Sequence, residues 1–226
     1  MRLPLRSPLA FFRALSAPFI ACLTACAFAL GVSAPVHAAE EPVIKPPPFW
    51  KGFKQIGDTG GTDVRVRSWV PEADTPADWH EAFNVYVFTP PPPGDPTGAI
   101  LAYMQQVAEH ACGALAVDLG QVRPDPDPAL PGASTRYAQM FCPNAAGNAR
   151  SRVDVLKLVA TRQAVTVFLM MRQAQPFVLN LPQPAAFKTP EEAAAHDAWL
   201  AQATKYLREV ARVCEHHTFS KDSCSQ

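Results

Sequence analysis

Apolar positions along this chain change their period several times, and each change marks an element. Val64, Val66 and Val70 alternate with Arg65, Arg67 and Trp69, the two-residue period of a strand, and Pro71 ends the run. Residues 83–89 (Phe-Asn-Val-Tyr-Val-Phe-Thr) are aromatic and β-branched on both faces, which predicts a central, covered strand. The period then lengthens. Ile100, Met104, Val107 and Ala111 share one helical face after Thr97, so the pattern predicts a helix capped by Thr97, with these four as its buried stripe, stopping near Cys112 and Gly113.

Further strands are expected at 114–122 and 135–142. Residues 153–160 and 165–172 form the best strand signals, a hairpin joined near Thr161-Arg162-Gln163. Within it, Thr166, Phe168 and Met170 fall on one face and Val165, Val167, Leu169 and Met171 on the other, so helices or a partner must cover both. A final helix opens with Thr189 as cap, Pro190 in the first turn, and Glu191 and Glu192 matching a capping box and the helix dipole. Leu200, Ala203, Leu207, Val210 and Cys214 make its stripe.

Between these elements lie turns and proline-rich connections. Asp58-Thr59-Gly60-Gly61 is a turn signal, and Thr75-Pro76-Ala77-Asp78-Trp79 reads as a short helical turn capped by Thr75. Residues 90–96 and 123–128 are proline loops, and 176–184 is a linker with an apolar patch, Phe177-Val178-Leu179; the stretch from Phe177 to Leu181, or the sheet, is the expected contact surface for a partner. The resulting order, β-β-α-β-β-β-β-α, lacks regular βαβ alternation. It predicts an α+β fold: an antiparallel sheet with two main helices packed on it, stapled by disulfides.

Residues 1–38 read as a secretory signal. Arg2, Arg6 and Arg13 precede an uncharged apolar run at 14–32, and Val36 and Ala38 place small residues where a signal peptidase cuts. The run is also about as long as the ~20 residues that span a bilayer, so an uncleaved anchor is the first rival reading. The second is lipidation, because Leu23-Thr24-Ala25-Cys26 resembles a lipobox; against it, the apolar run continues past Cys26. Residues 39–50 are expected to be a proline-rich tether on a polyproline-like path, ending in the apolar anchors Phe49 and Trp50. Residues 51–226 then form one α+β domain.

Export changes the accounting of charge and sulfur. Three of the 20 Lys and Arg lie in the leader and none of the 20 Asp and Glu, so the mature chain carries a net charge of −3. That excludes a basic nucleic-acid footprint and gives no attraction to an anionic membrane; membrane contact follows only from lipidation at Cys26. Cys112, Cys142, Cys214 and Cys224 remain after the leader, an even number in an oxidising compartment. Of three connectivities, Cys112–Cys142 and Cys214–Cys224 are favoured because each joins residues near in sequence.

The segment Val70-Pro71-Glu72 … Trp79-His80-Glu81-Ala82-Phe83-Asn84-Val85 resembles one in small uncharacterised exported proteins of Gram-negative bacteria, whose α+β shape is similar to the PsbP-type fold. The likeness covers the first third of the mature chain, then only the order of helix, cysteines and hairpin. The long proline loops depart from it, and it implies no catalytic residues.

Candidate chemistry is sparse. Asp78, His80 and Glu81 contain a general acid–base set, since His titrates near neutral pH; the competing reading is a solvated turn with Trp79 as a packing anchor. His216 and His217, beside Cys214 and Cys224, carry atom types that bind zinc or copper, although a disulfide next to a helix C-terminus accounts for the same residues. Met140, Met170 and Met171 read as core filling. The chain has no nucleophile elbow, phosphate loop or dinucleotide fingerprint, and no cofactor is expected. The expectation is therefore a periplasmic, non-catalytic domain that binds an envelope protein or a small ligand. The alternatives are a hydrolase using His80 with Asp78 or Glu81, a metal-handling protein using His216 and His217, and a lipid-anchored form facing the periplasm.

Overall fold

The computed structural model describes residues 41–43, 47–112, 116–125, 130–143, 150–174, 177–180, 183–187 and 189–214. The leader with Cys26, the stop at Gly113, and Cys224, His216 and His217 lie outside them. The described residues form twelve strands and two helices. An eight-stranded sheet is built from β2 (Phe53–Gly60), β3 (Val64–Pro71), β4 (Glu81–Phe88), β9 (Val165–Ala174), β8 (Ser151–Ala160), β7 (Ser134–Cys142) and β5 (Ala116–Leu119), side by side in that order, with β6 (Arg123–Pro124) also on β7. Every neighbouring pair is antiparallel, and the α+β class stands.

Helix α1 (Pro96–Cys112) carries the chain from β4 across the sheet to β5 at the far edge. Helix α2 (Pro190–Glu209) lies on the opposite face. One core joins Phe83, Val85, Phe168 and Met170 to Trp199, Ala203, Tyr206 and Leu207 of α2. The other joins Leu156, Leu158, Val167 and Leu169 to Ile100, Leu101, Met104 and Ala108 of α1. A helix on each face is why β8 and β9 are apolar in every register, as successive side chains point to opposite sides. Met140, Met170 and Met171 are all buried in these two cores.

Cys112, at the end of α1, is bonded to Cys142, at the end of β7. On the other face the buried Lys157 donates its Nζ to the Ala211 carbonyl at 2.8 Å, tying the sheet to the chain leaving α2. Thr189 caps α2 through a complete capping box with Glu192.

Several expectations change. Asp95, not Thr97, caps α1: its Oδ1 accepts the Gly98 N–H at 2.9 Å, and the Thr97 hydroxyl donates to the same oxygen at 2.9 Å. Pro96 then takes the first helical position, where its missing N–H costs nothing. The buried stripe of α1 runs through Ile100, Leu101, Met104 and Ala108, leaving Val107 exposed. The turn at 75–79 is not helical, although Thr75 does accept the Asp78 N–H at 3.0 Å. Strand β2 runs through Asp58, Thr59 and Gly60, so the turn expected over 58–61 falls slightly later, where the Gly61 N–H donates to the Val64 carbonyl at 2.9 Å. The strand is a largely exposed edge with a bulge between Gln55 and Gly57, so no apolar alternation announces it.

Three residues of the expected tether form β1 (Glu41–Val43), which pairs with β12 (Arg212–Cys214). They are extended, but bonded to the domain rather than free. The linker after β9 contains a small antiparallel pair, β10 (Val178–Asn180) and β11 (Gln183–Ala186). Phe177, expected in the apolar patch of the linker, is buried in the core.

Candidate binding site

His80 precedes β4, Arg172, Gln173 and Ala174 close β9, and Arg150 leads into β8. The antiparallel register brings these ends together: Glu81 is opposite Arg172, Ser151 is opposite Ala174, and the Gln173 N–H donates to the His80 carbonyl at 2.8 Å. The first turns of α2 lie over them on the same face as Arg172. Between sheet end and helix is a cavity of about 260 Å³, lined by His80, Arg150, Arg172, Gln173, Ala174, Phe187, Glu192, Ala195 and His196.

His80 has a partner that the sequence reading passed over. Asp74, only 10% exposed along its side chain, accepts the His80 backbone N–H at 2.6 Å and its ring Nδ1 at 3.1 Å, and the Glu81 N–H at 3.3 Å. Burial pushes the Asp74 carboxyl up, but the bonds from His80 and Glu81 outweigh it and hold its pKa below the ordinary value. An ionised carboxylate only accepts, so the proton of a neutral His80 sits on Nδ1 and leaves Nε2 as an acceptor. The expected acids are engaged elsewhere. Asp78 pairs with Arg150 at 3.0 Å, and Glu81 accepts the Trp50 indole N–H at 2.6 Å. An Asp six residues before a His carries no period, and only the turn at 71–80 closes the gap.

His196 was absent from the candidates because it falls on the buried face of α2, where it reads as core. Its ring lies 4.7 Å from that of Phe187 and 6.4 Å from that of Phe141. Burial lowers its pKa, Asp197 opposes the shift and Arg172 adds to it. Arg172 donates Nη1 to the Ala195 carbonyl at 2.9 Å, and its guanidinium carbon is 5.9 Å from the centroid of the Trp199 ring. Arg150 divides Nη1 between Asp78 and Gln173, both at 3.0 Å.

On the other side of His80 is a more open groove of about 690 Å³, bounded by Phe49, Trp50, Glu72, Asp74 and Gln202 among others. Although larger, it encloses less, and the smaller cavity is the better defined site. Among the described residues no group of three or more His, Cys, Asp or Glu is placed to hold a metal ion, and no helix is long and apolar enough to cross a membrane.

No family model and no curated protein matches this chain. Among solved structures, a crystal structure of an acyl-CoA hydrolase from Bacillus cereus is 19% identical, covering 48% of this chain and 73% of that one, with a TM-score of 0.17. At that TM-score the likeness carries no argument about fold or activity.

Proposed function

We propose that this chain is an exported, periplasmic binding domain whose ligand site is the cavity between His80 and the first turns of α2. The observation that carries the reading is the enclosure itself. Arginine and histidine side chains converge with apolar ones in one concave space, the usual composition of a small-ligand site. Export rests on the leader at 1–38, and the likeness of residues 70–85 to PsbP-type exported proteins belongs to the same reading.

The test follows His80 and His196 by NMR while the purified exported form is titrated with small-molecule fractions of a periplasmic extract. Saturable shifts at both rings are expected. Shifts confined to other surfaces, or none, would remove the site. The mature N-terminus, read by mass spectrometry, is expected at Ala39; retention of residues 1–38 would remove the periplasmic assignment.

The Asp74–His80 pair favours a second reading, hydrolysis by general-base activation of water at Nε2. Turnover of activated esters that disappears in His80→Ala and falls in Asp74→Asn supports it. Turnover unchanged in both variants ends it.

A further inference from the structure

Among the described residues, Arg172 is the cavity arginine without a carboxylate ion-pair partner. Arg150 is paired with Asp78, whereas Arg172 has no carboxylate partner among the described residues. A guanidinium carries five N–H donors. For Arg172 the structure shows one used, from Nη1 to Ala195, while Nε and Nη2 have no partner among the described residues. That free edge is two parallel N–H groups, the fork that matches the two oxygens of a carboxylate. The contact to Ala195 and the Trp199 ring hold the guanidinium in place, which reduces the ordering cost of binding.

Part of the remaining wall is apolar. Phe187, Ala174 and Ala195 line the cavity, and His196 lines it in an aromatic setting whose burial favours the neutral ring. Glu192 also lines it, and one of its oxygens is occupied by the Thr189 N–H. An acid in the lining opposes a dianion more strongly than a monoanion, and a volume near 260 Å³, below the usual range of about 300–1,000 Å³ for ligand pockets, limits the ligand to a small one.

We propose that this cavity takes a small monocarboxylic acid with an apolar body, its carboxylate on the Nε–Nη2 edge of Arg172 and its body against Phe187, Ala174, Ala195 and His196. The proposal rests on the reading of this cavity as the ligand site and names the class of ligand.

Benzoate is the probe, titrated into the purified exported form by calorimetry and NMR, with benzamide and phenylphosphonate as neutral and dianionic counterparts. Benzoate is expected to bind with saturable shifts at Phe187 and His196, and more tightly than either counterpart. Arg172→Lys keeps the charge and loses the fork, and should weaken benzoate by roughly tenfold or more. Phe187→Ala should weaken benzoate and benzamide alike. Arg172→Gln removes the charge as well and is read only after its thermal transition matches the parent; where it does not, Arg172→Lys decides. Benzamide or phenylphosphonate binding the cavity as well as benzoate, or Arg172→Lys leaving benzoate affinity unchanged, overturns the carboxylate assignment and leaves the site standing. No shift at Phe187 or His196 with any of the three probes also overturns it, and the extract titration then shows whether the site itself survives.

Discussion

The Asp74 carboxylate accepts both the backbone N–H and the ring Nδ1 of His80, at 2.6 and 3.1 Å. One acid thereby closes the loop between β3 and β4 and sets the tautomer of the ring at the cavity edge. Asp74→Ala strips the acceptor from two backbone N–H groups as well as the ring, and should cost about 1–3 kcal/mol in chemical denaturation. Because the folded pKa lies below the ordinary 3.8, the stabilisation is complete above that pH and is lost as pH falls from 3.8 through the folded value. An Asp74→Ala protein whose stability matched the parent at pH 7 would contradict this role.

His196 imposes a second, separate pH dependence. Its folded pKa is below 6.5, so in more acidic solution the unfolded chain takes up a proton that the folded chain refuses. Stability is therefore full above about pH 6.5 and declines as pH falls below it. His196→Phe keeps a ring between Phe187 and Phe141 and removes the titration. Its denaturation midpoint should change less between about pH 7 and pH 5 than that of the parent.

The rotation of α1 separates two residues that the sequence pattern placed on one face. Met104 is 6% exposed and Val107 is 52% exposed. Met104→Ala should cost about 2–5 kcal/mol, while Val107→Ala should stay within about 0.5 kcal/mol. Equal losses, measured by urea denaturation, would mean the helix sits in the other register.

The Cys112–Cys142 bond closes a loop with a sequence separation of 30. It joins the end of α1 to the end of β7, elements already in contact, so its main effect is to restrict the unfolded chain. Replacing both cysteines with serine should lower stability by about 2–4 kcal/mol. Peptide mapping without reductant should recover the two half-cystines in one linked peptide.

Local pattern was enough for much of this architecture. The β8–β9 hairpin, with its two apolar faces, follows from alternation alone, because a residue's side of a strand is set by whether its number is odd or even. The capping box at Thr189 and Glu192 was equally legible, since a cap is made by residues three apart. So was the Cys112–Cys142 pairing, where the two cysteines fall at element ends. Edge strand β2 was not legible: its side chains face solvent, and it is held by backbone bonds to β3 that carry no side-chain signature.

The cavity lay beyond any local pattern. Asp74, His80, Arg150, Arg172 and His196 share no period, and apart from Asp74 and His80 they belong to separate segments. Only the pairing of β4 with β9, and the placement of α2 over their ends, brings four of them to one cavity with Asp74 behind it. The sequence by itself determined the α+β class, the hairpin and the capping box of α2, because short-range spacing dictates periodicity and that cap. The tertiary structure decided which acid holds His80, because the path of the turn at 71–80 sets it, and which cavity arginine has no carboxylate partner among the described residues, because that depends on contacts between strands and a helix distant in the chain.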